Sequence, residues 1–351
     1  MTNYNPKVMK KYCADIFEKA GLRRGDAEIF ADGLITADLR GISSHGISRT
    51  KVYSERIEMG AVNTAAEPRI LIDSGAVITV DGDNGAGIVT ARKIMDICIE
   101  RAKTQGCCFA AVRNGNHFGT GAYFTEYAAS KGMLGFVVSN SEAAVVPIGG
   151  SVPMLGTNPL SVAIPAGRHA PLVLDMATST VARGKVVYAA KTGKKIPLGW
   201  GVDAEGANTE DPQKILDGGA MLPFGGAKGY GISMIIDVLC SCVAGAFNCR
   251  ETPSFWSELD KAQNIGYFMG AMDISKFTNY DEYKAKTDAY FDEFKKCPPA
   301  PGFDEVKIPG EIEHENYMKG LENGITVPET VQKELYNLGV KFGLKMPEKM
   351  L

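Results

Sequence analysis

The chain has 351 residues, 45% of them hydrophobic and 23% charged, which is enough to bury a sizeable core in one large domain or in two closely packed ones. Its formal net charge of -3 gives no electrostatic case for nucleic acid or for an anionic membrane surface, because phosphate binding needs Lys and Arg clustered in excess of the acids. A small-molecule partner is the expectation, with neither nucleic acid nor membrane involved.

Met1 to Lys11 contains no apolar leader segment, so a cytoplasmic location is expected. Val8, Tyr12 and Ile16, with Met9, Cys13 and Phe17 beside them, recur at three- and four-residue steps and stop at Gly21, which predicts an amphipathic helix. A second helix is predicted after Asp26. A third is predicted from Gly46 to Glu58, with Ser43 or Ser44 as its N-cap and Gly60 past its end.

The pattern changes at the β-branched run Val77 to Val80, which ends among Asp81, Gly82, Gly85 and Gly87 and leads into a predicted helix, Ile88 to Lys103. Cys107 to Val112 reads as a second strand, Ala122 to Lys131 as a helix closed by Gly132, and Leu134 to Val138 as a third strand. Crossover helices of this length imply parallel neighbours, and ligands in open α/β sheets gather at the carboxyl ends of strands. His117, the segment Ser139 to Ser141, and Asp175 after a strand Pro171 to Leu174 should therefore meet at one edge. The apolar stretch Ile232 to Ala246 contains Asp237 and is shorter than a bilayer span, so it reads as a buried helix. Lys295 to Pro301 marks a return of the chain, and Leu321 to Leu344 is again helical in pattern. The fold class is α/β: a sheet-based domain over 76–300 flanked by helices, with 1–75 and 301–351 forming a helical part from both chain ends.

Chemistry-bearing residues are few. The eight cysteines form neither a spaced disulfide framework nor a paired Cys-x-x-Cys metal site, and read as small buried residues. The four histidines are His45, His117, His169 and His314. Ser44-His45-Gly46-Ile47-Ser48-Arg49 places an imidazole at a helix start and a guanidinium one turn later. An arginine can clamp a carboxylate with two parallel hydrogen bonds, while an imidazole can protonate an adjacent carbonyl oxygen; a capping histidine with a solvated arginine is the structural alternative. Asn114-Gly115-Asn116-His117-Phe118-Gly119-Thr120-Gly121 holds the second histidine where a strand gives way to a helix, so both histidines stand as acid/base candidates. Asp175-Met176-Ala177-Thr178-Ser179 joins a carboxylate to two hydroxyls, and Asp175 could either orient an imidazole or cap a helix. Gly225-Gly226-Ala227-Lys228-Gly229-Tyr230-Gly231 places backbone amides and a lysine where phosphate is attracted. It has neither P-loop nor Rossmann spacing. Gly156-Thr157-Asn158-Pro159 and Pro309-Gly310-Glu311 read as turns. No metal site is expected.

Taken in order, Ser44-His45-Gly46, Asn116-His117-Phe118-Gly119, Gly156-Thr157-Asn158-Pro159, Asp175-Met176-Ala177-Thr178, Lys228-Gly229-Tyr230-Gly231 and Pro309-Gly310-Glu311 resemble the type-2 malate/L-lactate dehydrogenase family over nearly the whole chain. The resemblance implies a homodimer with a non-Rossmann dinucleotide fold, using NAD or NADP to move a hydride to or from a small 2-oxo or 2-hydroxy acid, with malate or L-lactate foremost. It implies a proton donor at His45 supported by Ser44 and Asp175, or at His117 as in the ureidoglycolate dehydrogenases of the family. It further implies Arg49, Asn116 and Thr157 on the substrate, and Ser141, Asp175, Met176, Ala177, Thr178, Lys228, Gly229, Pro309, Gly310 and Glu311 on the cofactor. Ureidoglycolate oxidation and imino-acid reduction are the enzymatic alternatives, and nucleotide binding without turnover is the non-enzymatic one. Gly115 and Ala227 stand where the family often carries larger residues.

Overall fold

The computed structural model describes residues 2–350. A short strand β1 (Thr2–Tyr4) leads into α1 (Pro6–Ala20), whose first turn is capped by the Asn5 side chain and whose end is set by Gly21. Then come α2 (Arg24–Leu39), two tight helical turns at Ser43–His45 and Ile47–Arg49, and α3 (Thr50–Glu58). The third helix thus begins later than its apolar pattern suggests. Ser43 and Ser44 do not cap it; the Asp38 carboxylate reaches across from α2 and accepts the Ile47 amide at 2.7 Å, which holds the intervening turns in the tighter geometry.

The sheet strands follow as β2 (Arg69–Asp73), β3 (Val77–Asp81), α4 (Gly87–Gln105), β4 (Cys107–Gly115), α5 (Ala122–Ala129), β5 (Met133–Ser139), β6 (Leu160–Ile164) and β7 (Leu172–Met176). Next are α6 (Arg183–Lys191), a small hairpin of β8 (Gly201–Val202) and β9 (Ala220–Met221) around α7 (Pro212–Leu216), and α8 (Ala227–Asp237), continued by a wider helical turn, Val238–Val243. The chain closes with β10 (Ile265–Asp273), α9 (Tyr280–Lys295), α10 (Glu311–Asn323), β11 (Ile325–Val327) and α11 (Glu329–Phe342).

Seven strands make one mixed sheet in the order β2-β3-β4-β10-β5-β6-β7. Only β3 and β4 are parallel neighbours, as the α4 crossover requires. The expected pairing of β4 with β5 does not occur, because β10 lies between them and runs antiparallel to both, with Phe268 opposite Ala111 on one side and Val138 on the other. No sequence-local signal connects strands so far apart. Since β10 reverses direction twice over, β4 and β5 still point the same way, as does β7 beyond antiparallel β6. The carboxyl ends of β3, β4, β5 and β7 therefore share one edge, and that shared edge positions the site. Asp175 lies within β7 rather than beyond it.

The main core joins α1, α2 and α4 to the inner face of β3, β4 and β10 through Phe17, Phe30, Ile78, Ile94, Met95 and Tyr267. The chain ends do meet: β1 pairs with β11, and Tyr12 donates its hydroxyl to the Leu335 carbonyl at 2.8 Å. The continuous helix expected over Leu321 to Leu344 is interrupted by β11, where Gly324 and Pro328 bracket a β-branched run. A second correction concerns α8 and its extension: Ile236 and Cys240 are buried, but Met234, Ile235, Val238 and Val243 face outward. None of the eight cysteines is in a disulfide. No helix is long and apolar enough to cross a membrane among the described residues.

Candidate active site

The two turns between α2 and α3 carry His45 and Arg49. Their shape is fixed from below by Asp38, and a side chain at Gly46 would overlap the Asp38 carboxyl group. Burial pushes that carboxyl up to about 7, since an ionised form would sit in low dielectric with one amide as partner. On the other side, the loop after β4 carries His117. Its ring lies 5.8 Å from that of His45, nearly parallel at 17°. The structure thus brings together both histidines separated by 72 positions, from 45 to 117.

Their nitrogens are held differently. His45 shares a 3.0 Å hydrogen bond between Nδ1 and the Ser44 hydroxyl. His117 Nδ1 faces the Tyr53 hydroxyl at 2.5 Å and accepts the Gly119 amide at 3.4 Å. An amide can only donate, so Nδ1 is the acceptor and the neutral ring carries its proton on Nε2. Burial pushes His45 down to about 4, with the nearby Arg49 charge adding to the effect. His117 is driven well below the usual imidazole range by burial first, then by His45, Arg49 and Arg56. Both rings are neutral at pH 7.

Arg49 spends only Nε within the protein, on the Ser44 carbonyl at 2.6 Å. Its guanidinium lies over the Trp256 ring, 4.2 Å from the centroid. No terminal nitrogen of Arg49 is engaged in a hydrogen bond or ion pair among the described residues. Arg56, two turns further along in α3, is 1% exposed and spends its terminal nitrogens on the carbonyls of Glu258 and Lys261 at 3.1 and 2.7 Å. Of the two guanidiniums, Arg49 is the one equipped to receive an anion.

Ser141, Thr157, Thr178 and the Gly225–Gly229 segment gather along the same sheet edge, whereas Pro309 and Gly310 pack against Val173 near the start of β7. Ser141 Oγ accepts the Thr157 amide at 3.1 Å, and Thr178 Oγ1 donates to the Thr157 and Asn158 carbonyls at 3.0 Å each. Phe224 donates its amide to the Thr178 carbonyl, which places Gly225, Gly226, Lys228 and Gly229 directly beside that cluster. Gly225 and Gly226 have φ of 56° and 63°, and α8 begins behind them without a side-chain cap. Free amides, a helix N-terminus and an exposed lysine suit a phosphate. Two buried polar atoms of the His117 loop, Asn116 Oδ1 and Thr120 Oγ1, have no partner, while Asn116 Nδ2 is fully used on Asn84 and Gly85. These features fit a dinucleotide lying along this edge.

Two of the predicted residues are held by partners within the protein. Asp175 does not hydrogen-bond either imidazole; its Oδ2 accepts the first amide of α5, Ala122, at 3.0 Å, and burial pushes its carboxyl up to about 6. Its role in this structure is that of a helix cap. Glu311 is similarly occupied: one oxygen meets Lys295 at 2.6 Å and the other accepts the Ile308 amide at 2.8 Å, so its turn is braced from within, while the Pro309 carbonyl accepts the Val173 amide of β7 at 2.9 Å. The small residue at Gly115 has a local cause, since a side chain there would run into the Tyr267 ring, whose hydroxyl donates to the Asn116 carbonyl.

Sequence reasoning missed Tyr53, Asp38, Gln263, Phe255, Trp256 and Asn158. Tyr53 follows Arg49 by four positions, a spacing that could have flagged it. Gln263 accepts the His117 amide at 3.2 Å, and Asn158 ties the Ser141 amide to Ser233 of α8. Gln263 leaves no local pattern, while Asn158 stands within the Gly156-Thr157-Asn158-Pro159 motif with no role of its own assigned there.

The mixed sheet, the paired imidazoles beside an uncommitted guanidinium, and the phosphate-suited loop describe a nucleotide-dependent enzyme acting on a small anionic substrate. The family profile described as malate/L-lactate dehydrogenase matches residues 4–336, and the chain belongs to that family. The L-sulfolactate dehydrogenase of Methanocaldococcus jannaschii is 39% identical over 314 residues, 90% of each chain. The malate dehydrogenase of Pyrococcus abyssi is 35% identical over 319 residues, covering 89% of this chain and 87% of its own. The crystal structure of malate dehydrogenase from Entamoeba histolytica superimposes with a TM-score of 0.94 at 30% identity, covering 99% of this chain and 100% of that one. The chain is accordingly an oxidoreductase of the kind that acts on 2-hydroxy acids with a nicotinamide cofactor.

Proposed function

We propose that this enzyme interconverts a small 2-hydroxy acid and its 2-oxo acid, with malate and sulfolactate as the foremost substrates and L-lactate as the smaller alternative. The observation that carries the reading is the Arg49 fork, open at both terminal nitrogens, beside the stacked His45 and His117 rings. A carboxylate fits that fork in bidentate fashion. Malate and sulfolactate add a second acidic group to the 2-hydroxy acid head, and the similar proteins bearing those names support placing them first.

When bound, the nicotinamide cofactor supplies or accepts the hydride. Lys228, Gly229 and the Gly225–Gly226 amides would hold its phosphates, with Ser141, Met176, Ala177 and Thr178 lining the reactive end. The chain's own work is to fix the acid through Arg49, exclude water behind Phe255 and Tyr53, and move one proton. A neutral imidazole takes the hydroxyl proton during oxidation; in reduction the same nitrogen returns it. Neutrality at pH 7 favours the oxidising role. The Nε2 proton assignment at His117 leaves that ring without a free lone pair for the hydroxyl, whereas His45 carries no such restriction, so His45 is the base in oxidation and His117 the hydrogen-bond donor to the substrate oxygen.

Turnover with NAD and NADP on malate, sulfolactate, L-lactate and ureidoglycolate tests the reading. His45→Ala should lower kcat on the preferred acid by about 10² to 10⁴. Near-normal turnover by both His45→Ala and His117→Ala would overturn it, and cofactor binding with no turnover of any acid would replace it with a binding role.

A further inference from the structure

We propose that Trp256 is a positioning residue for Arg49, and that the segment from Thr252 to Gln263 acts as a strap holding Arg49 and His117 in register; this rests on the reading of Arg49 as the carboxylate clamp. Arginines near active sites are commonly oriented by an acidic partner. Arg49 forms no ion pair among the described residues; its side chain bonds the Ser44 carbonyl, and no carboxylate perturbs it. An acidic partner would occupy the same terminal N–H groups that a substrate carboxylate needs. An aromatic face attracts the guanidinium through its quadrupole instead, and the in-plane donors stay free. At 4.2 Å from the ring centroid, with Nε tied to the Ser44 carbonyl, the guanidinium is held from one face and one edge, with its fork left open.

The strap is itself fastened to the rest of the site. Arg56 binds its Glu258 and Lys261 carbonyls. Gln263 accepts the His117 amide and donates to the Pro253 carbonyl at 3.3 Å. Glu142, paired with Arg183 at 3.0 Å, accepts the Phe255 amide. Adjacent residues then serve different partners: Phe255 packs 4.8 Å from the His117 ring and 5.2 Å from Tyr53, while Trp256 takes Arg49. One short segment thus keeps the proton-handling ring and the anion clamp in register. Trp256 is 46% exposed, so removing its ring leaves the core intact.

The test uses the full-length enzyme. Trp256→Ala should raise KM for the preferred 2-oxo acid by about 3- to 10-fold, the range of a partly desolvated cation-π contact, with kcat within twofold and the cofactor Kd unchanged. Trp256→Phe should recover most of the loss. Only two tryptophans are present, so in a Trp200→Phe background oxamate should quench the emission of Trp256. An unchanged KM in Trp256→Ala, or a loss of cofactor affinity of the same size, overturns the inference. Arg49→Ala separates the two ideas: if it leaves KM unchanged the clamp reading fails, whereas a raised KM there with no effect of Trp256→Ala removes only the role of Trp256.

Discussion

Asp38→Asn should stabilise the protein at pH 8 and make no difference near pH 4. The carboxyl lies under the turn that carries His45 and Arg49, accepting one amide from Ile47, and burial moves it from 3.8 to about 7. A raised folded-state value means that the folded protein holds this proton where the unfolded chain has lost it. The stability so contributed is full below pH 3.8, declines as pH rises, and is gone above about 7. A shift of about 3 units corresponds to at most about 4 kcal/mol. Asparagine has the same shape and can offer its carbonyl oxygen to Ile47 without a charge to bury, so the variant keeps the contact and escapes the penalty. Thermal unfolding followed by circular dichroism from pH 4 to pH 8 should show the two curves together at the acid end and separated at pH 8 by up to about 5 °C. A gap that does not change with pH, or a variant less stable than the parent at pH 8, would refute the reasoning.

Tyr53→Phe removes the hydroxyl from His117 Nδ1 and should cost about 2- to 10-fold in kcat, the worth of one neutral hydrogen bond, with cofactor affinity unchanged by fluorescence titration. With His45 held near 4, kcat/KM for oxidation of the 2-hydroxy acid should stay flat down to about pH 5 and fall below it, whereas an unperturbed imidazole would give an acid limb near 6.5; stopped-time assays across that range decide. Arg40 is 3% exposed and pairs with Glu126, so Arg40→Met should lose about 3 to 5 kcal/mol in denaturant titration by stranding that carboxylate. Adding Glu126→Gln should restore much of it.

The strand and helix pattern from Val77 to Val138 was legible because each element there carries its own periodicity and is bounded by glycines. The shared carboxyl end of β4 and β5, with His117 and Ser141, was legible for the same reason, since strand direction follows from crossovers; β7 reaches that edge through antiparallel pairings with β6 that no crossover announces. Partners supplied by distant chain were not. Nothing in Ile265 to Asp273 announces that it will separate β4 from β5, and nothing in Trp256 indicates Arg49. For Asp175 two uses stayed open, orienting an imidazole or capping a helix, because a carboxylate at a strand end does not tell which donor reaches it first; the α5 amide did.

The position of β10 bears on how the chain comes off the ribosome. Ser139 at the end of β5 bonds to Gly266 of β10 across 127 positions. Without that late strand, the native order leaves only two three-stranded pieces, β2-β3-β4 and β5-β6-β7, each with a bare edge where β10 would sit. Open edges recruit other strands, and a product prematurely ended before Ile265 would keep both edges for its lifetime. The sheet that carries the site is therefore closed only by the last quarter of the chain.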